Sequence, residues 1–368
     1  MTNATAGAFA SLLPARPARA ADRVSYDAAI VIDGLGGPGD SVSKVGEPLS
    51  EAHVQNVRRS GITAVNLTIL PVGTTPPDTA FVQAVREILY WESEIERLPQ
   101  VLTRVRTVAD IDGAKKAQRT GLIYGFQDAV AFETDLARLN DFERMGVRII
   151  QPTYNRRNLL GDGCLEPADA GLSKAGMEAI SRMNELGILV DLSHCGRRTA
   201  ADAIKASKRP VAFTHTGCAA LADHPRNRTD TELRAVADKD GVSGIYVMPY
   251  LNNGRQPTAE NVIAHLEHAI KVAGEDHVSI GTDGGISPEV IDDAFRKNFA
   301  DNVRARREAG IAAPGETEEG YLFANDLNTA RRLETLASML SNRGHTAGRI
   351  EKILGRNLLR VFSDAWRA

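Results

Sequence analysis

Short apolar runs rich in Val and Ile alternate with longer amphipathic segments along this chain. Strands buried on both faces read as near-continuous apolar runs, so the alternation predicts repeated βα units. Eight runs stand out, at 29–33, 62–70, 121–127, 147–154, 187–194, 210–215, 241–249 and 277–283. Eight parallel strands close a barrel. The expected fold is α/β, a (β/α)8 TIM barrel in a single domain over 26–368, with C-terminal closing helices.

Helix punctuation agrees with that pattern. Ser173 precedes KAGMEAISRMNELG, and Gly187 follows its last apolar turn. Thr229 and Glu232 have capping-box spacing. Thr258 opens AENVIAHLEHAIKVA, and Gly274 closes it. Ser287-Pro288 reads as a cap followed by proline at the first helical position. The polar, Gly/Pro-punctuated stretch 295–325 predicts a long loop with helical pieces over the barrel mouth. Closing helices are expected at 326–342 and 346–367.

With 43% apolar residues, 368 positions suffice for a large core. The net charge of −3 is spread along the chain without a basic block, which argues against nucleic acid. No apolar run is long enough to span a bilayer. Cys164, Cys195 and Cys218 are odd in number and contain no CxxC pair, so reduced thiols and a cytoplasmic location are expected. Residues 1–25 read as a disordered Ala/Pro-rich leader. Its Ala-Arg-Ala-Ala ending is like a signal cleavage site, but no Lys or Arg precedes Arg16 and Pro14 ends a short apolar stretch. Export through a remnant signal is the alternative.

Several predicted strands end in residues that can do chemistry: Gln127, Tyr154, His194, His215 and Asp283. Strand ends of this fold converge on one face, where catalytic groups sit. His194 and His215 follow the strongly apolar strands VDLSH and VAFTH. A lone strand-end histidine is more often a hydrogen-bonded structural residue. Two on neighbouring strands suggest metal binding, since neutral imidazoles are good zinc ligands. Asp283, in SIGTDGG, is read as a metal ligand or as a proton acceptor, with a cap for the following turn as the alternative. Arg226, in DHPRN, could clamp a substrate carboxylate or pair with a loop aspartate. His265 and His268 are expected on a helix surface, His277 on the far face of the barrel, and Cys195 and Cys218 in apolar packing.

The blocks GVRIIQPTYNRRNLLGDGC, AGLSKAGMEAISRMNELGILVDLSHCG, SKRPVAFTHT, HPRNRTDTELRAVADKDG and GEDHVSIGTD, with the terminal GRNLLRVF, resemble the membrane (renal) dipeptidases. Those are zinc-dependent (β/α)8 hydrolases related to the amidohydrolases. The resemblance covers most of the chain beyond the leader. It implies that His194 and His215 bind one zinc, that Asp283 is the aspartate ending the last strand, and that Arg226, with Asn227 beside it, reads the substrate's carboxylate. It also leaves a homodimer open.

The departures fall together. The family's first strand ends in Asp-Gly-His-x-Asp, whereas this chain has Asp33-Gly34-Leu35-Gly36-Gly37. Gln127 stands where a bridging glutamate is usual, and Tyr154 where a substrate-contacting histidine is usual. The expectation is a mononuclear site, zinc or another divalent metal, held by His194 and His215 and completed by Gln127 or Asp283. A metal-activated water would cleave a dipeptide or similar small amide, Asp283 moving the proton and Tyr154 binding the oxyanion. The alternatives are an enzyme of this fold acting on a different small metabolite, and a metal-free, non-catalytic relative.

Overall fold

The computed structural model describes residues 24–366, apart from 42, 44, 45, 71 and 73–75. The leader expected at 1–25 falls almost wholly outside the described residues. The chain opens with β1 (Ile32–Gly37), α1 (Glu51–Ser60), β2 (Ala64–Thr68), α2 (Pro77–Arg97), β3 (Leu102–Arg104), α3 (Val108–Lys116), β4 (Thr120–Phe126) and α4 (Arg138–Met145). It continues through β5 (Val147–Ile150), α5 (Lys174–Leu186), β6 (Leu189–Asp191), α6 (Arg197–Ala206), β7 (Val211–Cys218), β8 (Asn227–Arg228) and α7 (Asp230–Ala237). Then come β9 (Val242–Ile245), α8 (Ala259–Ala273), β10 (Val278–Ile280), β11 (Gly284–Gly285), α9 (Asp293–Glu308), α10 (Arg332–Asn342), α11 (Ala347–Glu351) and α12 (Asn357–Ala365).

All the pairings between these strands are parallel, in the order β10-β9-β7-β6-β5-β4-β2-β1-β11. The eighth strand of the barrel is broken in two. Its first piece, β10, pairs with β9, and its second, β11, pairs with β1 through Gly36 opposite Gly284. The sheet therefore meets itself at the break, where Asp283 N donates to Leu35 O at 2.9 Å. The first strand runs later than the apolar run 29–33. Gly34 lies in the tight seam, where a Cβ would sit 2.5 Å from the Thr214 carbonyl. The short strand β3, paired with β4, escaped the sequence reading because three residues carry no periodicity.

Two packed regions hold the barrel. The larger lies mainly between the sheet and its helices. In the smaller, Leu358, Val361, Phe362 and Trp366 from the C-terminal end meet strand residues such as Ile32, Ala64, Ile123, Leu189 and Val242. α12 thus plugs the end of the barrel opposite the strand ends. Each large side chain buried there contributes roughly 1.5–3 kcal/mol. A π turn over Lys352–Arg356 brings Gly355 against Ile30, where a Cβ would stand 2.4 Å from the carbonyl oxygen.

The expected caps at Ser173, Gly187 and Thr229 are in place, Ser173 accepting from Gly176 N and Gly187 taking φ 70°. Three expectations need correction. Ser287-Pro288 starts no helix: Ser287 donates to the Pro38 carbonyl, and Asp292 caps α9 instead. Much of the stretch read as a loop with helical pieces is the sixteen-residue helix α9, whose polar face hid its periodicity. His265 is not on a helix surface but 1% exposed, accepting from Cys218 N at 2.9 Å and meeting the Leu251 carbonyl at 3.1 Å. The three cysteines are free, and burial pushes Cys195 and Cys218 up to about 12. No described helix is long and apolar enough to cross a membrane.

Candidate active site

The site is built just past the end of β6, at His194, and within β7, at His215, three residues before that strand ends. Asp191, the last residue of β6, is 1% exposed and accepts from the Ser193 and Thr214 hydroxyls, both at 2.6 Å, and from both backbone amides. This buried carboxylate ties β6 to β7 and sets where His194 and His215 project. Their ring centroids lie 5.0 Å apart at 56°.

The hydrogen-bond network assigns their protons. Asn155 donates its amide to the Ile311 carbonyl at 2.7 Å, so its oxygen faces His194 Nδ1, at 2.6 Å, as an acceptor. The Thr214 hydroxyl donates to Asp191, so it accepts from His215 Nδ1 at 2.9 Å. Both Nδ1 atoms therefore carry the hydrogen, and both Nε2 atoms carry a lone pair. Both Nε2 atoms are buried without a partner among the described residues. Burial, helped by the positive charge of Arg226, holds both imidazoles well below their usual range and so neutral.

Around this pair stand the other expected residues. Tyr154 stacks on His194 with ring centroids 4.1 Å apart, and its hydroxyl accepts from Arg306 Nη1 at 3.2 Å. Arg226 is 1% exposed, placed by the loop that β8 pins to the end of β7. Its Nη1 donates to the Ser193 carbonyl, and its Nη2 has no partner among the described residues. Among the described residues it forms no salt bridge to a loop aspartate. Asp283 sits in the break of the last strand with φ 59°, in the left-handed region that aspartate tolerates. Its carboxylate takes no hydrogen bond among the described residues. Burial lifts its pKa to about 7, against the opposing pull of Arg226 and Arg306.

Gln127 follows β4 directly, and its amide nitrogen donates to the Thr68 hydroxyl at 2.8 Å. It lines a cavity of about 400 Å3 with Asp283, Leu35, Leu67 and Trp91. The space beside the first strand is bordered by apolar groups such as Leu35, 3% exposed, and by polar ones that include Asp40 and His53. Among the described residues, no group of three or more His, Cys, Asp or Glu is arranged to hold a metal ion. The structure brings the two imidazoles together but does not gather Asp283 with them into one three-donor cluster. Asn227 differs from expectation. Its amide donates to the Ala222 and Tyr250 carbonyls, and its oxygen accepts from Tyr246, so the side chain ties the loop and has no donor left for a substrate.

Sequence reasoning missed Arg306 and Glu316. Arg306, on α9, joins Tyr154 to Glu316, bonding the carboxylate at 2.7 and 2.9 Å. Glu316 is 6% exposed and also accepts from Tyr250 at 2.7 Å. No local pattern marks either residue. Asn155 was within reach of the sequence, as the polar residue next to Tyr154.

Comparison with known proteins agrees with this geometry. The family model described as membrane dipeptidase (peptidase family M19) matches residues 35–297. A dipeptidase, verJ, of Clonostachys rogersoniana is 28% identical over 272 residues, covering 73% of this chain. The chain spans only 62% of that relative's length. A solved amidohydrolase from Pseudomonas aeruginosa is 32% identical with a TM-score of 0.78, over 93% of this chain and 98% of that one. A metallo peptidase from Rhodobacter sphaeroides, solved with a phosphinate mimic of the dipeptide L-Ala-D-Ala, shares the fold at TM-score 0.73 and 19% identity, over 92% of this chain and all of that one. The barrel, the paired histidines at its fifth and sixth strand positions and the match over 35–297 place this chain in the membrane dipeptidase family, peptidase family M19.

Proposed function

We propose that this protein is a metal-dependent hydrolase that cleaves the amide bond of a dipeptide or a similar small amide. One observation carries the reading. Two buried, neutral imidazoles on adjacent strands present Nε2 lone pairs unpartnered among the described residues, each ring held by a hydrogen bond at Nδ1. Metal-ligating histidines are held in this way. The pair supplies two of the three protein donors that a catalytic zinc takes. Asp283, with its free carboxylate, and Gln127, with its amide nitrogen tied to Thr68, are the residues that would complete the set. One ion is favoured over two because Leu35 and Gly37 bring no donor at the first strand. Zinc suits imidazole and carboxylate ligands, and another divalent metal of like preference is the alternative.

When bound, such a cation supplies Lewis acidity for activating water and polarising an amide carbonyl. The chain's own residues do the rest. The Asp283 carboxylate, which accepts no hydrogen bond among the described residues, is the group that would take a proton from water and return it to the leaving nitrogen. The Tyr154 hydroxyl, accepting from Arg306, keeps its own proton for the developing oxyanion. The free Nη2 of Arg226 receives a terminal carboxylate. The dipeptide named for the Rhodobacter neighbour's ligand supports this substrate class.

The test is metal analysis of the purified full chain together with a dipeptide panel that includes D-configured C-terminal residues. Bound divalent metal and metal-dependent release of amino acids are expected. Metal-free protein that stays inactive after reconstitution would sink the reading.

A further inference from the structure

A second cavity, of about 580 Å3, adjoins the one beside Leu35 and shares Asp283, Gly284 and Gly285 with it. α9 and the segment after it line this second cavity with Phe295, Phe299, Leu322 and Phe323. The rings form a connected set: Phe295 lies 6.0 Å from Phe299 and 5.8 Å from Tyr321, which lies 5.5 Å from Phe323. Several polar groups of the cavity are engaged by the fold, while Glu289 Oε2 and the Asp283 carboxylate accept no hydrogen bond among the described residues. Asn328 bonds the Glu289 backbone at both N and O, Glu289 Oε1 accepts from Ser41 N, and Arg332 Nε donates to the Thr329 carbonyl. One side of the space is an aromatic wall of Phe295, Phe299 and Phe323 with Leu322, and the Asp283 carboxylate assigned to proton transfer lines the same cavity.

We propose that this cavity is a subsite for a large apolar side chain, aromatic best, on one of the two residues flanking the scissile amide. The inference rests on the amide-hydrolase reading and specifies its substrate class. A cavity of this size and lining is typical of those that bury an apolar ligand group. Aromatic rings on a ligand find offset or edge-on partners in Phe299 and Phe323. Glycine or alanine at that position would leave the wall facing water.

The test uses the full-length protein with Phe-Ala, Ala-Phe and Ala-Ala. Binding is measured by calorimetry with chelator present, and kcat/KM is measured on the metal-replete enzyme. At least one aromatic dipeptide should bind about tenfold more tightly than Ala-Ala, as burial of an aromatic side chain implies. Phe299→Ala, at a half-buried position, should remove most of that preference, and Leu322→Ala should weaken it. Turnover of Ala-Ala without aromatic preference, or a preference unchanged in Phe299→Ala, overturns the subsite and leaves the hydrolase reading standing. Failure to bind or hydrolyse any of the three overturns both.

Discussion

Tyr154 lies nearly flat on His194, with ring centroids 4.1 Å apart and planes 26° apart, while its hydroxyl accepts from Arg306. The helix over the barrel mouth is thereby linked, through one phenol, to an imidazole of the candidate metal site. Tyr154→Phe keeps the stacked ring and removes the hydroxyl. If that hydroxyl binds the oxyanion, kcat should fall about 100-fold with metal content unchanged, the size seen when one such donor is lost. Steady-state kinetics with metal analysis checks this. An unchanged kcat would reduce the tyrosine to a packing role.

The outer hydrogen bonds of the histidines should matter nearly as much as the rings. His194→Ala and His215→Ala should each abolish metal binding and turnover. Asn155→Ala frees His194 Nδ1 and should lower metal affinity about 10- to 100-fold. Competition titration against a chromogenic chelator reads this directly. Wild-type affinity in Asn155→Ala would contradict the assigned tautomer.

Arg226 is buried with one guanidinium nitrogen unpartnered. Arg226→Lys keeps the charge and loses the planar fork. For dipeptides with a free carboxyl terminus, KM should rise about 30-fold, in line with the loss of one partner of a buried charge pair. For C-terminally amidated dipeptides it should barely change. Equal effects on both substrates would remove Arg226 from carboxylate recognition.

Glu87 on α2 offers a pH test of stability away from the site. It is 7% exposed, and burial lifts its pKa from 4.5 to about 8, only partly opposed by Trp91. The folded state thus holds this proton more tightly than the unfolded chain does. Its burial costs nothing below the unfolded pKa, costs progressively more between pH 4.5 and about 8, and levels off above. Glu87→Gln should match the parent in unfolding free energy near pH 4 and exceed it above about pH 8, by about 1–3 kcal/mol. Parallel melting curves across that range would refute the shift.

Much of the fold was legible because its evidence is local. Doubly covered strands advertise themselves as apolar runs, and all eight correspond to strands of the barrel, with ends displaced by a few residues. Ser173, Gly187 and Thr229 mark helix ends through bonds to residues three positions away or through their own φ. α9 failed that reading because a helix lying over the mouth buries little, with Phe295 and Val303 its buried residues. His265 failed it because its partners lie 47 and 14 residues away.

The sequence alone determined the barrel class, the two strand-end histidines and the lack of donors at 35 and 37, since strand period and residue type are properties of short segments. Tertiary structure decided which ring nitrogens are free, that Asn227 serves its own loop, and that Asp283 occupies the seam where the last strand breaks. It also decided that Arg306 reaches Tyr154 across 152 residues. These outcomes depend on hydrogen bonds and burial between distant segments, which no local pattern encodes.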